Sequence, residues 1–574
     1  MAQDKNKTDN KWHNFDFDSP YLTGKTDVEK VFEYHNRTKH GPPINQGYAK
    51  SAGQMDWANE PRPMRTYFEP EDANKFPFSR DTPDPENNYI DIYSGATSNE
   101  VKPFSMTSIG KFMELSLGLA AWKNYGKVTW ALRINPSSGN LHPTESYLIL
   151  PNIENTGSGV FHYNAYGHEL EKRATLPDNL LSPDKGFYVA LSSIHWREAW
   201  KYGERAFRYC NHDVGHAIAC LSFSASLMGW QVKALDLTTE AMEQVLGFDK
   251  TDWVEGEEEE CDIILYVCPN SECSEEISGK INSFKELIYN GEPNTLSDEI
   301  VDWRVIGDIA EATVNKTGTI EGGVNYIKDD FLKTDYDRKA ASIIRTRRSA
   351  QSFDGETYLS KEELVAILDK TRPREGRAPF VKGLSNSYID LLLFVHRVDR
   401  HRVYGGLKNG LYFYHRSINK IEDIKLKYNK SFLWDEVEPN LYLLEEGDFT
   451  NPAAIVSCNQ AIAGDSAFSL GMVARFEDVV TKNPSMYKGL FWEAGMIGQV
   501  LYLEAEAFGI RGTGIGCYFD DVVHEKIIGL SEADMSYQSL YHFTIGGPVE
   551  DARLTTLPPY YHLDIEDSDE GSGS

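Results

Sequence analysis

No stretch of this 574-residue chain stays apolar for the roughly 20 positions a bilayer-crossing helix needs, and residues 1–15 are polar where a secretory leader would carry an apolar core. The expectation is a cytoplasmic protein that does not contact a membrane. Basic residues are in deficit: 58 Lys plus Arg stand against 87 Asp plus Glu, a net charge of -29. Such a surface repels a phosphodiester backbone, which argues against a nucleic-acid partner. Cysteine is sparse too. The seven residues Cys210, Cys220, Cys261, Cys268, Cys273, Cys458 and Cys517 are odd in number and sit mostly among apolar neighbours, as reduced buried thiols do. Cys268 and Cys273 are the closest pair, but no adjacent His or second Cys pair completes a zinc site, so no metal is expected.

What the chain has is length and aromatic mass: 11 Trp, 31 Tyr and 27 Phe, more than one core needs. Residues 1–100, rich in Pro, Asn, Asp and aromatics, read as a mostly irregular N-terminal arm that wraps over the rest, with Tyr34-His-Asn-Arg-Thr-Lys-His40 its most distinctive segment. Residues 101–270 form a first unit, 271–334 an acidic linker, 335–562 a second unit, and 563–574 a disordered acidic tail. Hydrophobic patterning predicts helices over 107–122 and 212–228, one ending near Leu246 and one starting near Ser360. Strands are predicted over 147–150, 160–163, 187–191, 263–267 and 541–545. The Thr107-Ser108 pair is the expected cap of the first helix. The segment 212–228 is apolar or small on nearly every face, which predicts burial at the centre of a domain or between two.

The segment 133–150 reads Arg-Ile-Asn-Pro-Ser-Ser-Gly-Asn-Leu-His-Pro-Thr-Glu-Ser-Tyr-Leu-Ile-Leu. Prolines stiffen a loop whose Ser and Asn side chains offer uncharged hydrogen bonds, a combination suited to a planar ligand with many acceptors. Spacing alone reads it equally well as an ordinary turn-rich connection.

The chain also repeats itself. A shift of 280 positions carries Asp213, Gly215, Leu221, Ala225 and Gly229 onto Glu493, Gly495, Leu501, Ala505 and Gly509. Two copies of one α/β unit, each with a buried helix, predict a single-chain pseudo-dimer packed through those helices, able to act as a monomer. The copies differ in a complementary way. The second opens with Arg345-Thr-Arg-Arg-Ser-Ala-Gln-Ser-Phe353, where the first has Ser94-Gly95-Ala96 opposite Arg347-Arg348-Ser349. The second copy's version of the Pro-Ser-Ser-Gly-Asn loop is Arg377-Ala-Pro-Phe-Val-Lys-Gly-Leu-Ser-Asn386. Each copy thus lacks what the other keeps. Arginines beside a Ser hydroxyl suit a dianionic phosphate, although composition alone favours a solvated pair for Arg347 and Arg348. Gly512-Thr-Gly-Ile-Gly516 follows a helix and lacks the dinucleotide-binding spacing, so it speaks only for close backbone approach. His212, Asp213 and His216, on or beside the buried helix, read as core polar groups rather than ligands.

Together the segments 133–147, 200–209 (Trp-Lys-Tyr-Gly-Glu-Arg-Ala-Phe-Arg-Tyr) and 347–353 resemble the nitroreductase superfamily. The first two resemble its SagB-type dehydrogenase branch, which includes azoline oxidases. The resemblance spans roughly residues 100–270 and 335–560. It implies an α+β fold of two nitroreductase-like units, each a mixed sheet flanked by helices, and FMN as cofactor between them. By resemblance Arg347, Ser349 and Arg553 hold the phosphate, with Arg348 beside them and Gln351 where the family often has a basic residue. Pro136, Ser137, Ser138 and Asn140 approach from the first half, with Arg133 just before them, and Gly514, Ile515 and Gly516 lie against the flavin. Lys201 and Tyr202 correspond to the azoline-oxidase acid–base pair; the second copy has Thr481 and Lys482 there. The complementary losses then predict one retained and one decayed flavin site.

Three activities follow as expectations. The first is an FMN-dependent dehydrogenase or oxidase acting on a small-molecule or peptide-derived substrate, with oxygen or another acceptor; the lack of a winged-helix segment in the arm favours a small molecule. The second is an NAD(P)H-dependent nitroreductase or quinone reductase. The third is a non-catalytic flavin- or partner-binding scaffold, against which the intact set of flavin residues speaks.

Overall fold

The computed structural model describes residues 22–564 apart from 44–46, 70–71, 94–99, 155, 270–273, 319–325, 335, 337, 382, 385–386, 400–405 and 418. Two helices form its axis. Ala206–Leu227 and Met486–Ala507 each have 22 residues, so the second starts and ends 280 positions after the first. Every residue of the first is buried, because one side lies on its own sheet and the other on the second helix. Glycines permit the crossing: a Cβ on Gly215 would overlap the Trp492 carbonyl oxygen, and one on Gly495 that of His212.

Each helix is backed by a seven-stranded sheet. In the first half the spatial order is Lys75–Pro77, Glu169–Thr175, Gly159–Asn164, Thr144–Leu150, Phe187–Ser193, Glu260–Cys268 and Gln231–Ala234. In the second it is Asp435–Glu438, Leu441–Glu446, Gly410–Tyr414, Ile389–Val395, Phe468–Arg475, Tyr537–Gly546 and Arg511–Ile515. In both, the strand after the long helix ends up at the edge, and the strand after the loop of interest sits in the middle. The fold is α+β, as expected, although the ladders between these strands are all antiparallel. Parallel pairing occurs in isolated bridges such as Ser349 with Gly512.

Two sequence expectations need correction. The helix predicted over 107–122 ends at Glu114 and is capped by Ser105, not by the Thr107-Ser108 pair. Beyond it, Leu119–Tyr125 is a strand between Val128–Arg133 and the C-terminal Thr555–Leu557. Pairing with that distant segment overrides local helical patterning, and Tyr560 occupies the space a Cβ on Gly118 would need, its hydroxyl 2.8 Å away. The arm is more ordered than its composition suggests. It contains the helix Asp27–Arg37, capped reciprocally by Thr26 and Glu29, and the strand Lys75–Pro77. The linker contributes the helix Arg304–Ala312, which packs on Asp27–Arg37. Ser94, Gly95 and Ala96 lie outside the described residues.

Candidate functional site

A cavity of about 530 Å3 lies between the halves, and residues more than 400 positions apart line it. Arg133, Pro136, Ser137, Ser138, Asn140 and Tyr202 come from the first half; Arg347, Arg348, Ser349, Gln351, Gly514, Ile515 and Gly516 come from the second. Thus twelve of the thirteen residues the family resemblance assigns to the cofactor share one wall system; Arg553 does not. Arg553 stands on the outside with its side chain 71% exposed, paired at 2.7 Å with Asp551, which does line the cavity.

The second-half wall is built by backbone pairing. Ser349 bridges Gly512, the Ala350 N–H donates to the Gly512 carbonyl at 3.2 Å, and Thr513 Oγ1 donates to the Ala350 carbonyl at 2.7 Å. This lays 347–351 alongside the strand Arg511–Ile515. The Tyr502 hydroxyl accepts from the Gly514 N–H at 2.9 Å and lies 2.8 Å from Ser349 Oγ. The glycines matter sterically, since a Cβ on Gly514 would overlap the Tyr541 hydroxyl and one on Gly516 the Tyr209 ring.

The charge at this end is concentrated and poorly compensated. Arg347 is buried over the Tyr502 ring, 5.0 Å from its centroid, and its Nε has no hydrogen-bond partner. Burial, more than the neighbouring Arg511, holds its guanidinium below the usual arginine range. Burial and then Arg347 bring Arg348 down to about 10. Lys123 and Arg511, which motif reasoning did not single out, complete a group of four cations on the cavity wall. Arg511 is paired at 2.5 Å with Glu550, whose side chain is 66% exposed. Four cations around an orphaned buried N–H make an anion site.

The first-half loop is held from below. Asp213 on the helix Ala206–Leu227 accepts from the Ser138 N–H at 3.1 Å and from Ser138 Oγ at 3.2 Å. Ser137 Oγ accepts from the His142 N–H at 2.8 Å, and Asn140 Nδ2 donates to the Ala131 carbonyl at 2.9 Å. The hydroxyls and amide that looked available for a ligand therefore fix the loop itself, which leaves its backbone to face the cavity. Gly139 and Asn140 both take left-handed φ, at 60° and 62°. Arg133 is tied to the Thr144 and Pro63 carbonyls at 3.2 and 2.8 Å, with Nε unpartnered. Burial pushes Asp213 up to about 7 against its hydrogen bonds from the loop.

Lys201 and Tyr202 end the helix His195–Tyr202 directly beneath this loop. A Cβ on Gly139 would stand 2.6 Å from the Tyr202 hydroxyl and 3.0 Å from Lys201 Nζ. Tyr202 lines the cavity, whereas Lys201 reaches the loop from behind. Burial first, and then Glu198, Tyr209 and Asp213, hold the Tyr202 phenol well above its ordinary value, so it keeps its proton at neutral pH. The arm secures this region: Arg37 pairs with Glu204 at 2.6 Å, and the His40 N–H donates at 2.9 Å to Asp520, which also binds Arg205 and Arg208.

Residues 344–547 match the model of the Nitroreductase family. No curated protein is similar to the chain. The crystal structure of a protein from Anabaena variabilis described as a nitroreductase superposes with a TM-score of 0.63 at 18% identity, covering 91% of this chain and 99% of the other. That match runs through both halves and shows the nitroreductase fold. The McbBCD microcin synthetase complex of E. coli, with bound truncated precursor, gives a TM-score of 0.24 at 19% identity, covering 45% of this chain and 99% of its own. NADPH:FMN oxidoreductase from Vibrio harveyi, complexed with NAD+, gives 0.21 at 16% identity, covering 36% and 68%.

Proposed function

We propose that the chain is an FMN-dependent dehydrogenase or oxidase of the SagB-type branch, built as a tandem duplication that retains one flavin site. The observation that carries this reading is the group of four cations around the buried, unpartnered Arg347 Nε, on the wall of a cavity that the Tyr202 phenol also lines. The fit is chemical: a cavity of about 530 Å3 is of the size that small cofactors fill, and FMN carries its dianionic phosphate at one end of a long molecule. Arg347, Arg348 and Ser349, with Lys123 and Arg511, would hold the phosphate; Pro136 to Asn140 and Gly514 to Gly516 would flank the flavin ring.

When bound, the flavin supplies hydride chemistry. The chain's own residues do the rest. Tyr202, kept protonated by burial, hydrogen-bonds and orients the reacting group, and Lys201, behind the loop with Nζ 5.4 Å from the Tyr202 ring centroid, acts through that phenol. The loop over Asp213 excludes water and fixes the distance between substrate and ring. A small molecule or peptide-derived substrate enters on the Tyr202 side.

The test combines flavin content with turnover. Purified protein is expected to contain FMN, and Lys201→Ala and Tyr202→Phe are expected to retain it while losing at least tenfold in flavin reduction by a dehydrogenation substrate. Fast flavin reduction by NADPH that is indifferent to Lys201 would turn the assignment to an NAD(P)H-dependent nitroreductase or quinone reductase. Protein unable to bind flavin would leave only the scaffold.

A further inference from the structure

Two cysteines from different segments meet at the wall of this cavity. Cys517 directly follows Gly516 and lines the cavity; Cys458 follows the helix Thr450–Val456. Their sulfurs are in direct contact, and both are free thiols. Both are half-buried, whereas the other described cysteines, Cys210, Cys220, Cys261 and Cys268, are buried. The meeting is built. Gln460 Nε2 donates to the Ser457 carbonyl at 2.9 Å and to the Cys517 carbonyl at 3.2 Å, and the Phe519 N–H donates to the Val456 carbonyl at 2.8 Å. The backbone at Cys458 and Asn459 is left-handed at both residues, with φ of 55° and 60°, although neither is glycine. Consecutive non-glycine residues in this region cost energy that ordinary packing does not call for. Tyr48 of the arm covers the pair from outside while remaining 51% exposed.

We infer that Cys458 and Cys517 are a redox-active dithiol that exchanges two electrons with a flavin in the adjoining cavity and so connects it to external disulfides. This rests on the flavin reading above. The two thiols are unequal: Arg205 Nη2 donates to the Gly516 carbonyl at 3.1 Å, which sets a positive charge beside Cys517 and favours its thiolate. Cys517 is therefore the attacking thiolate. It attacks one sulfur of an external disulfide, breaking that S–S bond, forming a mixed disulfide and releasing one thiol. Cys458, giving its proton to solvent, then attacks Cys517 Sγ and expels the second thiol, which leaves an intramolecular disulfide. A reduced flavin held in the cavity would supply the two electrons and two protons that reopen that bond to the two thiols, itself ending oxidised. The external disulfide is thus the net acceptor of the electrons taken from substrate.

The test uses the full chain as purified, with oxidised glutathione as the probe. Under denaturing alkylation, treated protein is expected to lose two free thiols and show a 458–517 cross-link by peptide mass spectrometry; Cys458→Ser and Cys458→Ala are expected to show none. In a second readout, flavin reduced anaerobically with dithionite is expected to reoxidise on adding oxidised glutathione at least tenfold faster in the unmodified protein than in either variant. Protein that binds flavin but forms no cross-link, or whose flavin reoxidises equally fast in the variants, overturns this inference alone. Protein that forms the cross-link yet holds no flavin overturns the electron exchange and the flavin reading together.

Discussion

The two halves place the same 22-residue helix, the same central strands and the same loop position around one axis, yet of the two related voids between them one holds about 530 Å3 and the other about 30 Å3. The smaller void is lined by Gly489 and Leu235, 280 positions from Tyr209 and Ile515 of the larger one, and holds room for about one water. The reason lies in what approaches. Gly383 approaches the strand Gln231–Ala234 so closely that a Cβ on it would stand 3.0 Å from the Ala234 carbonyl oxygen. Phe380 is buried beneath it. Where Ala340–Thr346 leads to the unpaired Arg347, the turn Tyr89–Tyr93 instead delivers two phenols to Glu504, each at 2.8 Å, and Tyr336 adds a third at 2.5 Å. One site spends its residues on packing, and the other keeps charge and space for a ligand. This is the usual opposition between stability and a preorganised site.

Substitutions in the packed site should therefore move stability, and those in the open site should move flavin. The largest effect is expected from Phe380→Ala, which truncates a buried ring and should cost about 3–5 kcal/mol in denaturant unfolding while leaving flavin content unchanged. If flavin were lost in proportion, the filled-in site around Phe380 would not be merely structural.

Next comes Asp213. Its carboxyl holds a proton up to about pH 7 in the folded chain, whereas an ordinary aspartate releases it near 4. The folded state thus binds more protons, and stability must fall as pH rises between those values, by at most about 4 kcal/mol from this group. Asp213→Asn should flatten that part of the pH profile; an unchanged slope would show that the loop anchor does not titrate there.

The sequence made the open site legible to an unusual degree, because its features are local: Pro-Ser-Ser-Gly-Asn, Lys201-Tyr202 and Arg347-Arg348-Ser349 are contiguous words. The helix pair was legible as well, since a 280-residue shift preserved its glycine crossing at Gly215 and Gly495. Lys123 and Arg511 were missed because each is a single cation on a strand edge, brought to Arg348 only by the sheet and hairpin. The helix expected over 107–122 failed for a similar reason, its second half being claimed by the strand Thr555–Leu557 from the far end of the chain. Arg553, recognised by family position, proved to be held outward by Asp551 only two residues away. The Tyr89, Tyr93 and Tyr336 cluster on Glu504 carried no motif at all.

Arg347→Ala should weaken flavin binding roughly tenfold to a hundredfold, the worth of a charge-assisted contact of about 1.5–3 kcal/mol. It should barely alter unfolding of the flavin-free chain, because the guanidinium has no carboxylate partner among the described residues; a large stability loss would place Arg347 with the packed site. The smallest effect is expected from Gly139→Ala, where φ of 60° and the nearby Tyr202 hydroxyl should cost about 1 kcal/mol and lower turnover more than flavin content.

The central claim is that one of the two related sites between the halves binds flavin and the other has been filled in. Amino-acid analysis set against the flavin absorbance of the same purified, FMN-saturated sample measures it directly. One FMN per chain is the predicted result; two per chain, or none, would contradict the account.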